Sequence, residues 1–247
     1  VVVGDVDPDE VHKLAKQYFG PLKPSDIKKI KPQAVVKQRG IKRITVKAPA
    51  QLPLLFMGYH APSVKTADIE WEPYALEVLA AILDGGESAR FTTDLIHGQQ
   101  IAASTSVGYN PHSRNDNLFT LSGTPSQTHD VAALENAFRE QLKRIQDEPP
   151  SKEELRRIQT QVVASAVYQQ DSTFYQAMQL GALVSVGLDW RLDNEYVDRI
   201  RAVTSAQVQT VANKYLIDDQ LTVAVLDPQP LNNKNAKIST SGEQHAN

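Results

Sequence analysis

Apolar residues along this chain recur with two periods, one near 2 and one near 3.6, and the alternation of the two orders its elements. Val1-Val2-Val3-Gly4-Asp5-Val6 is an apolar run that reads as a buried strand. Asp7-Pro8-Asp9-Glu10 then opens a helix, with Asp as N-cap, Pro at the first helical position and acids in the first turn. Val11, Leu14, Ala15, Tyr18 and Phe19 fall at helical spacing, and Gly20-Pro21 ends the pattern. Residues 21–40 are rich in lysine and proline, sustain no period and read as a solvated linker.

A second unit starts near Ile41. Arg43 to Lys47 alternates as a half-buried strand, and Leu52 to His60 gives a second strand before Ala61-Pro62. From Asp68 the pattern turns helical, with Ala75, Leu76, Leu79, Ile82 and Leu83 on one face and Gly85-Gly86 closing it. Ser88 opens a short helix through Leu95 and Ile96. Ile101 to Tyr109 and Asn117 to Thr124 read as two strands joined by a polar turn. Val131, Leu134, Phe138, Leu142 and Ile145 share a helix face that ends before Pro149-Pro150. Ser151-x-x-Glu154 is a capping box for a long helix through Leu155, Ile158 and Val162. Helices follow over about 173–186 and 194–202, Thr204-x-x-Gln207 caps another, and Leu221 to Leu226 is a last strand before a polar tail over 229–247. Strands in pairs followed by runs of helices predict an α+β class, an antiparallel or mixed sheet covered by helices.

Composition narrows the function classes. The 247 residues carry a formal net charge of -3, too small to argue for nucleic acid or an anionic membrane as partner. No window approaches the roughly 18 consecutive apolar residues of a membrane span. The chain has no Cys, which removes disulfides, thiolate zinc sites and Cys nucleophiles together. The opening in mid-strand, without Met or a basic leader, reads as a cut from something longer. An echo between Val1–Pro8 and Leu221–Pro228, each an apolar run into Asp-Pro, points the same way.

Catalytic groupings are absent from the pattern. A helical zinc site needs two His about one turn apart with a carboxylate to activate water, and no two of His12, His60, His97, His112, His129 and His245 are four apart. No Gly-x-Ser-x-Gly elbow and no phosphate-binding Gly-x-x-x-x-Gly-Lys loop occurs. Gly85-Gly86 before Ser88 reads as a helix C-cap running into the next N-cap rather than an anion site.

Several phrases together resemble the pitrilysin/insulinase family of zinc metallopeptidases, in its processing-peptidase-like bacterial branch. Val3-Gly4-Asp5-Val6-Asp7-Pro8-Asp9-Glu10 running to Tyr18-Phe19-Gly20-Pro21-Leu22 is similar to the end of that family's first domain. Leu76 to Gly86 with Ser88-Ala89-Arg90-Phe91 resembles the Gly-rich turn of its second domain, and Pro150–Ile158 and Thr204–Leu216 resemble later helices. The phrases run in order over residues 1 to about 228.

The resemblance implies two homologous α+β domains closing as a clamshell around a peptide chamber, of which this chain is the C-terminal half. Residues 1–20 would be the last strand and helix of the first domain, 21–40 the linker, and 41–228 a domain lacking the zinc motif. Zinc would belong to the other domain, supplied in cis or by a homologous subunit in trans, so this chain is expected to hold no cofactor and to hydrolyse nothing alone. The partners implied are a peptide or unfolded polypeptide and that zinc domain, and the setting favoured is periplasmic. Active members place an Arg and, seven residues on, a Tyr against the oxyanion, where this sequence has Ile96 and Ala103. His97, Tyr109 and Arg90 are the remaining candidates for the chamber wall. The alternative implied is a wholly non-catalytic structural or partner subunit of a processing-peptidase-like complex.

Overall fold

The computed structural model describes residues 1–25 and 36–231, so the middle of the expected linker and the tail from Asn232 lie outside the described residues. Five strands, β1 (Lys42–Pro49), β2 (Leu54–Ala61), β3 (Ala102–Gly108), β4 (Asn117–Pro125) and β5 (Leu221–Gln229), form one sheet in the order β1-β5-β2-β4-β3. β1 runs parallel to β5, and the other neighbours are antiparallel. The chain's last strand is thus inserted between its first two, which ties residues about 180 positions apart into one ladder.

Helices α2 (Glu72–Asp84), α3 (Val131–Asp147) and α7 (Ser205–Tyr215) pack on one side of this sheet. Alternation along the strands selects that side: Leu55, Met57 and Tyr59 of β2, Phe119 and Leu121 of β4, and Leu221 and Val223 of β5 are all buried. They meet Leu76, Leu79, Ile82 and Leu83 of α2, Leu134, Phe138 and Ile145 of α3, and Val208 and Val211 of α7. Outside this layer, α4 (Lys152–Gln169), α5 (Thr173–Ser185) and α6 (Leu192–Ala202) complete the helical side. Among the described residues, no helix is long and apolar enough to cross a membrane.

The α+β class and the β3–β4 pair follow the sequence expectation; β1 and β2 are strands but not neighbours, because β5 lies between them, and four further local features differ. Val1–Val6 forms no strand; Val1, Val2 and Val6 are exposed, and no described strand offers them a ladder. The helix expected from Asp68 begins at Glu72, with Pro73 in its first turn, because Pro73 has no N–H to bond back to Ile69 and is accommodated only where that donor is not needed; Glu72 N–H closes a turn to Ile69 O instead. The segment after Ser88 is a π-helix over Phe91–Gly98 rather than an α-helix, closed by Gln99 N–H donating to Asp94 O five residues back. The Ser151 cap forms, but Glu154 does not reach back to complete a box; Thr204 and Gln207 do complete theirs.

The first helix, α1 (Pro8–Phe19), is capped as expected, with the Asp7 carboxylate accepting from the N–H groups of Asp9 and Glu10. None of its residues is buried.

Candidate functional site

Among the described residues, the helices packed into the core cover one side of the sheet, and the opposite face is left bare. Its residues are the outward partners of the same alternation, and the ladder register aligns them in rows. Ile44 of β1 pairs with Ala224 of β5, Ala224 with Phe56 of β2, Phe56 with Ser122 of β4, and Ser122 with Ser106 of β3. The next row joins Val46, Leu226 and Leu54. The face is therefore apolar on its β1–β5–β2 half and hydroxyl-bearing towards β4 and β3. Ile44 is 49% exposed, Val46 46% and Leu54 40%. These are large apolar groups held in a contiguous patch, the kind of surface that soluble proteins keep for binding.

Gly58 lies beneath the patch. A Cβ there would stand 3.4 Å from Phe56 Cε1 and 3.5 Å from Leu118 Cδ1, so these two side chains close over the backbone of Gly58, which is buried. At the sheet's edge, β3 presents backbone groups that no described strand pairs. Apolar rows, a hydroxyl row and an open edge suit an extended polypeptide: side chains on the rows, main chain along the edge.

The five sequence candidates do not gather at one point. Arg90 sits just before the π-helix and is paired with Glu154 of α4, both side chains being less than one-fifth exposed. Ile96 packs against the core, and His97 in the last turn is exposed, its Nε2 3.8 Å from Glu87 Oε2. Ala103 is exposed at a bulge between Ala102 and Ser104 at the start of β3. Tyr109 lies just past the other end of β3, about 20 Å along the strand. Its hydroxyl donates to Pro62 O at 2.5 Å, its ring leans on Phe119, and burial pushes its pKa well up. The π-helix packs beside β3, so Ile96, His97 and Ala103 share one end of the edge strand while Arg90 and Tyr109 hold structural contacts.

Among the described residues, no three of His, Cys, Asp and Glu gather as a metal-binding group.

Two features escaped the sequence. The bare face was signalled by Leu52–Gly58, whose apolar run lacks the alternation of a one-sided strand and so marks apolar side chains on both faces. The second is Glu77, a carboxylate inside the apolar run of α2, whose Oε1 accepts from Tyr196 OH at 2.6 Å. Burial raises its pKa to about 7, against the lowering effect of that hydrogen bond.

Known proteins share this architecture. The chain is 25% identical over 237 residues to the zinc protease PqqE of Helicobacter pylori, covering 92% of this chain and 51% of that protein. The crystal structure of a protease from Helicobacter pylori superposes with a TM-score of 0.81 at 23% identity, covering 92% of this chain and 54% of that one. A peptidase M16 inactive domain from Pseudomonas fluorescens superposes with a TM-score of 0.73 at 19% identity, covering 92% and 52%. The chain thus spans about half the length of these relatives. A family profile described as the Peptidase M16 inactive domain matches residues 1–162, and with that match over more than half its length the chain belongs to the pitrilysin-like zinc protease family, as its inactive domain.

Proposed function

We propose that this chain is one wall of a peptide-binding chamber: it holds an extended polypeptide on its bare sheet face and leaves zinc chemistry to a homologous zinc-binding domain. That domain would act from the same polypeptide or from a partner subunit. The observation that carries the reading is the aligned apolar row Ile44–Ala224–Phe56 beside the Ser122–Ser106 hydroxyls, exposed on the side the helices leave free. Apolar side chains of a peptide would bury surface there at roughly 25 cal/mol per Å², and the open β3 edge would fix the direction of its backbone. The twofold greater length of the relatives supports a missing catalytic complement.

His97 is the candidate exposed to meet a peptide, its Nε2 only loosely placed 3.8 Å from the exposed Glu87 carboxylate, whereas the hydroxyl of Tyr109 and the guanidinium of Arg90 are held in hydrogen bonds. Ile96 and Ala103 offer no side-chain donor, and that absence favours a second reading, a purely structural or partner subunit. One experiment separates the two. Fluorescence anisotropy with a labelled, unstructured peptide is run on the chain and on Phe56→Asp, beside a hydrolysis assay with and without zinc. Binding that Phe56→Asp weakens by about tenfold, with no hydrolysis in either assay, supports the chamber wall. Absence of binding supports the structural subunit, and hydrolysis by this chain alone overturns both.

A further inference from the structure

On the helix side, away from the bare sheet face, lies a cavity of about 460 Å³, within the roughly 300–1,000 Å³ range of small-ligand sites. Its walls come from α2, α4, α5, α6 and the turn after β3. Glu77, Asp193, Tyr175, Tyr196 and His112 line it, and among the described residues no Lys or Arg does. Two carboxylates thus share a partly enclosed space with no fixed positive charge.

Glu77 is the unusual member. Tyr196 satisfies its Oε1, while its Oε2 is buried with no hydrogen-bond partner. A buried acceptor left open is costly and uncommon in folded proteins. The groups facing it supply no countercharge. From α6 come Tyr196 and Asp193, from α5 Tyr175, and from the turn Tyr109 and His112, while Tyr74 lies one turn earlier on α2 itself. The α4 residues that line the cavity include Gln161, Ser165 and Gln169 and carry no charge. Tyr109 and Tyr196 are held neutral by burial. His112 is held towards its neutral form by burial, with Asp193 opposing. Three tyrosines (Tyr109, Tyr175 and Tyr196) line the cavity, and aromatic rings attract cations. Among the described residues no three of His, Cys, Asp and Glu gather as a metal-binding group, and the aromatic lining favours an organic cation.

We propose that this cavity is a binding site for an organic ammonium group, with Glu77 as its counterion, Asp193 as a second acidic wall and the tyrosines as its aromatic lining. The ammonium could be carried by a free amine or by a lysine side chain, and both present the same head to the site.

Isothermal titration calorimetry on the whole chain tests this with two probes, 1,5-diaminopentane and N-acetyl-lysine methylamide, and with uncharged 1,5-pentanediol as control. Saturable binding of an amine at one site, absent for the diol, is expected. Affinity should be roughly tenfold higher at about pH 8 than at about pH 6, because a carboxyl titrating at about 7 goes from mostly protonated to mostly ionised between them. Glu77→Gln should weaken binding about tenfold or more at the higher pH and remove the pH dependence. Asp193→Asn, on the half-buried wall, should weaken it severalfold without touching the Glu77–Tyr196 contact. Binding of the diamine alone identifies a free amine as the ligand; binding of both probes extends the site to lysine side chains. Absence of saturable binding by either amine, or amine binding indifferent to both substitutions, overturns the proposal.

Discussion

Arg90 and Glu154 meet through two parallel hydrogen bonds, Nε to Oε1 at 2.8 Å and Nη2 to Oε2 at 2.7 Å. This fork joins the residue before the π-helix to the first turn of α4, 64 positions later. It also explains why Glu154 leaves the capping box incomplete: a bidentate, largely buried guanidinium outcompetes a single backbone N–H of Ser151.

Breaking this fork is expected to destabilise the fold. Arg90→Ala should cost about 1–3 kcal/mol at neutral pH, and Arg90→Lys most of that, since an ammonium forms only one of the two bonds. Arg90 holds the Glu154 carboxyl below the usual carboxylate range. Its stabilisation is therefore complete above the unfolded value of about 4.3 and fades as pH falls through the lower folded value. Urea midpoints of wild type and Arg90→Ala should differ clearly at neutral pH and converge in strong acid. A gap that stays constant down to that pH would mean the pair contributes packing rather than charge.

Phe91 and Phe138 stack with centroids 4.7 Å apart and planes 8° from parallel, both fully buried. The stack locks the π-helix to α3, so Phe138→Ala should cost about 3–5 kcal/mol. Gly123 of β4 lies beneath it, where a Cβ would stand 3.0 Å from Phe138 Cζ and 2.8 Å from Ser104 O. Gly123→Ala should cost about 1–3 kcal/mol, and Phe138→Leu should recover only part of it, because the Ser104 carbonyl belongs to the backbone. Chemical denaturation of the two single variants and the double variant checks the ordering.

The sequence revealed the elements whose signal is local. Asp7-Pro8 and Thr204-x-x-Gln207 name helix starts because the caps are made by neighbours in the chain. What it hid depends on partners far away. Val1–Val6 has the composition of a strand, yet a strand needs a ladder, and no described strand provides one. The β1–β5 pairing joins Arg43 to Val223, and nothing local announces a parallel neighbour at that distance. The π-helix at Phe91–Gly98 reads as an α-helix, because its apolar spacing is nearly the same and the extra residue is set by packing against β3. Among the chamber candidates, Arg90 was visible as a phrase, but its bond to Glu154 was not.

α1 is held by its cap and by little else. Leu14 is 45% exposed and Phe19 69%, and no residue of the helix is buried. An isolated helix of this length is marginal in water. Amide hydrogen exchange should therefore be fast across Pro8–Phe19 and slow across Leu76–Leu83 of α2, which is packed into the core. Asp7→Ala should speed exchange in α1 further while leaving α2 unchanged, which mass spectrometry of peptic fragments would resolve. Equal protection of the two helices would show that α1 has found a partner surface in solution.

Glu77 gives the chain a stability that depends on pH in the opposite sense to Glu154. Its folded pKa, raised to about 7 by burial, stands above the unfolded value of about 4.3. The protonated carboxyl is thus the form the fold prefers; its contribution is complete below about pH 4.3 and is lost as pH rises through 7. Glu77→Gln keeps an acceptor for the Tyr196 hydroxyl and removes the titration. The variant should match wild type near pH 4.5 and exceed it at pH 8 by on the order of 2 kcal/mol, read as a Tm gap that opens with rising pH. The gap should close again when an ammonium ligand is added at pH 8, since the ion stabilises the ionised carboxylate of the wild type and finds no counterion in the variant. A Tm difference that does not vary with pH would show that the carboxyl keeps one charge state throughout, and that water rather than a proton answers its buried oxygen.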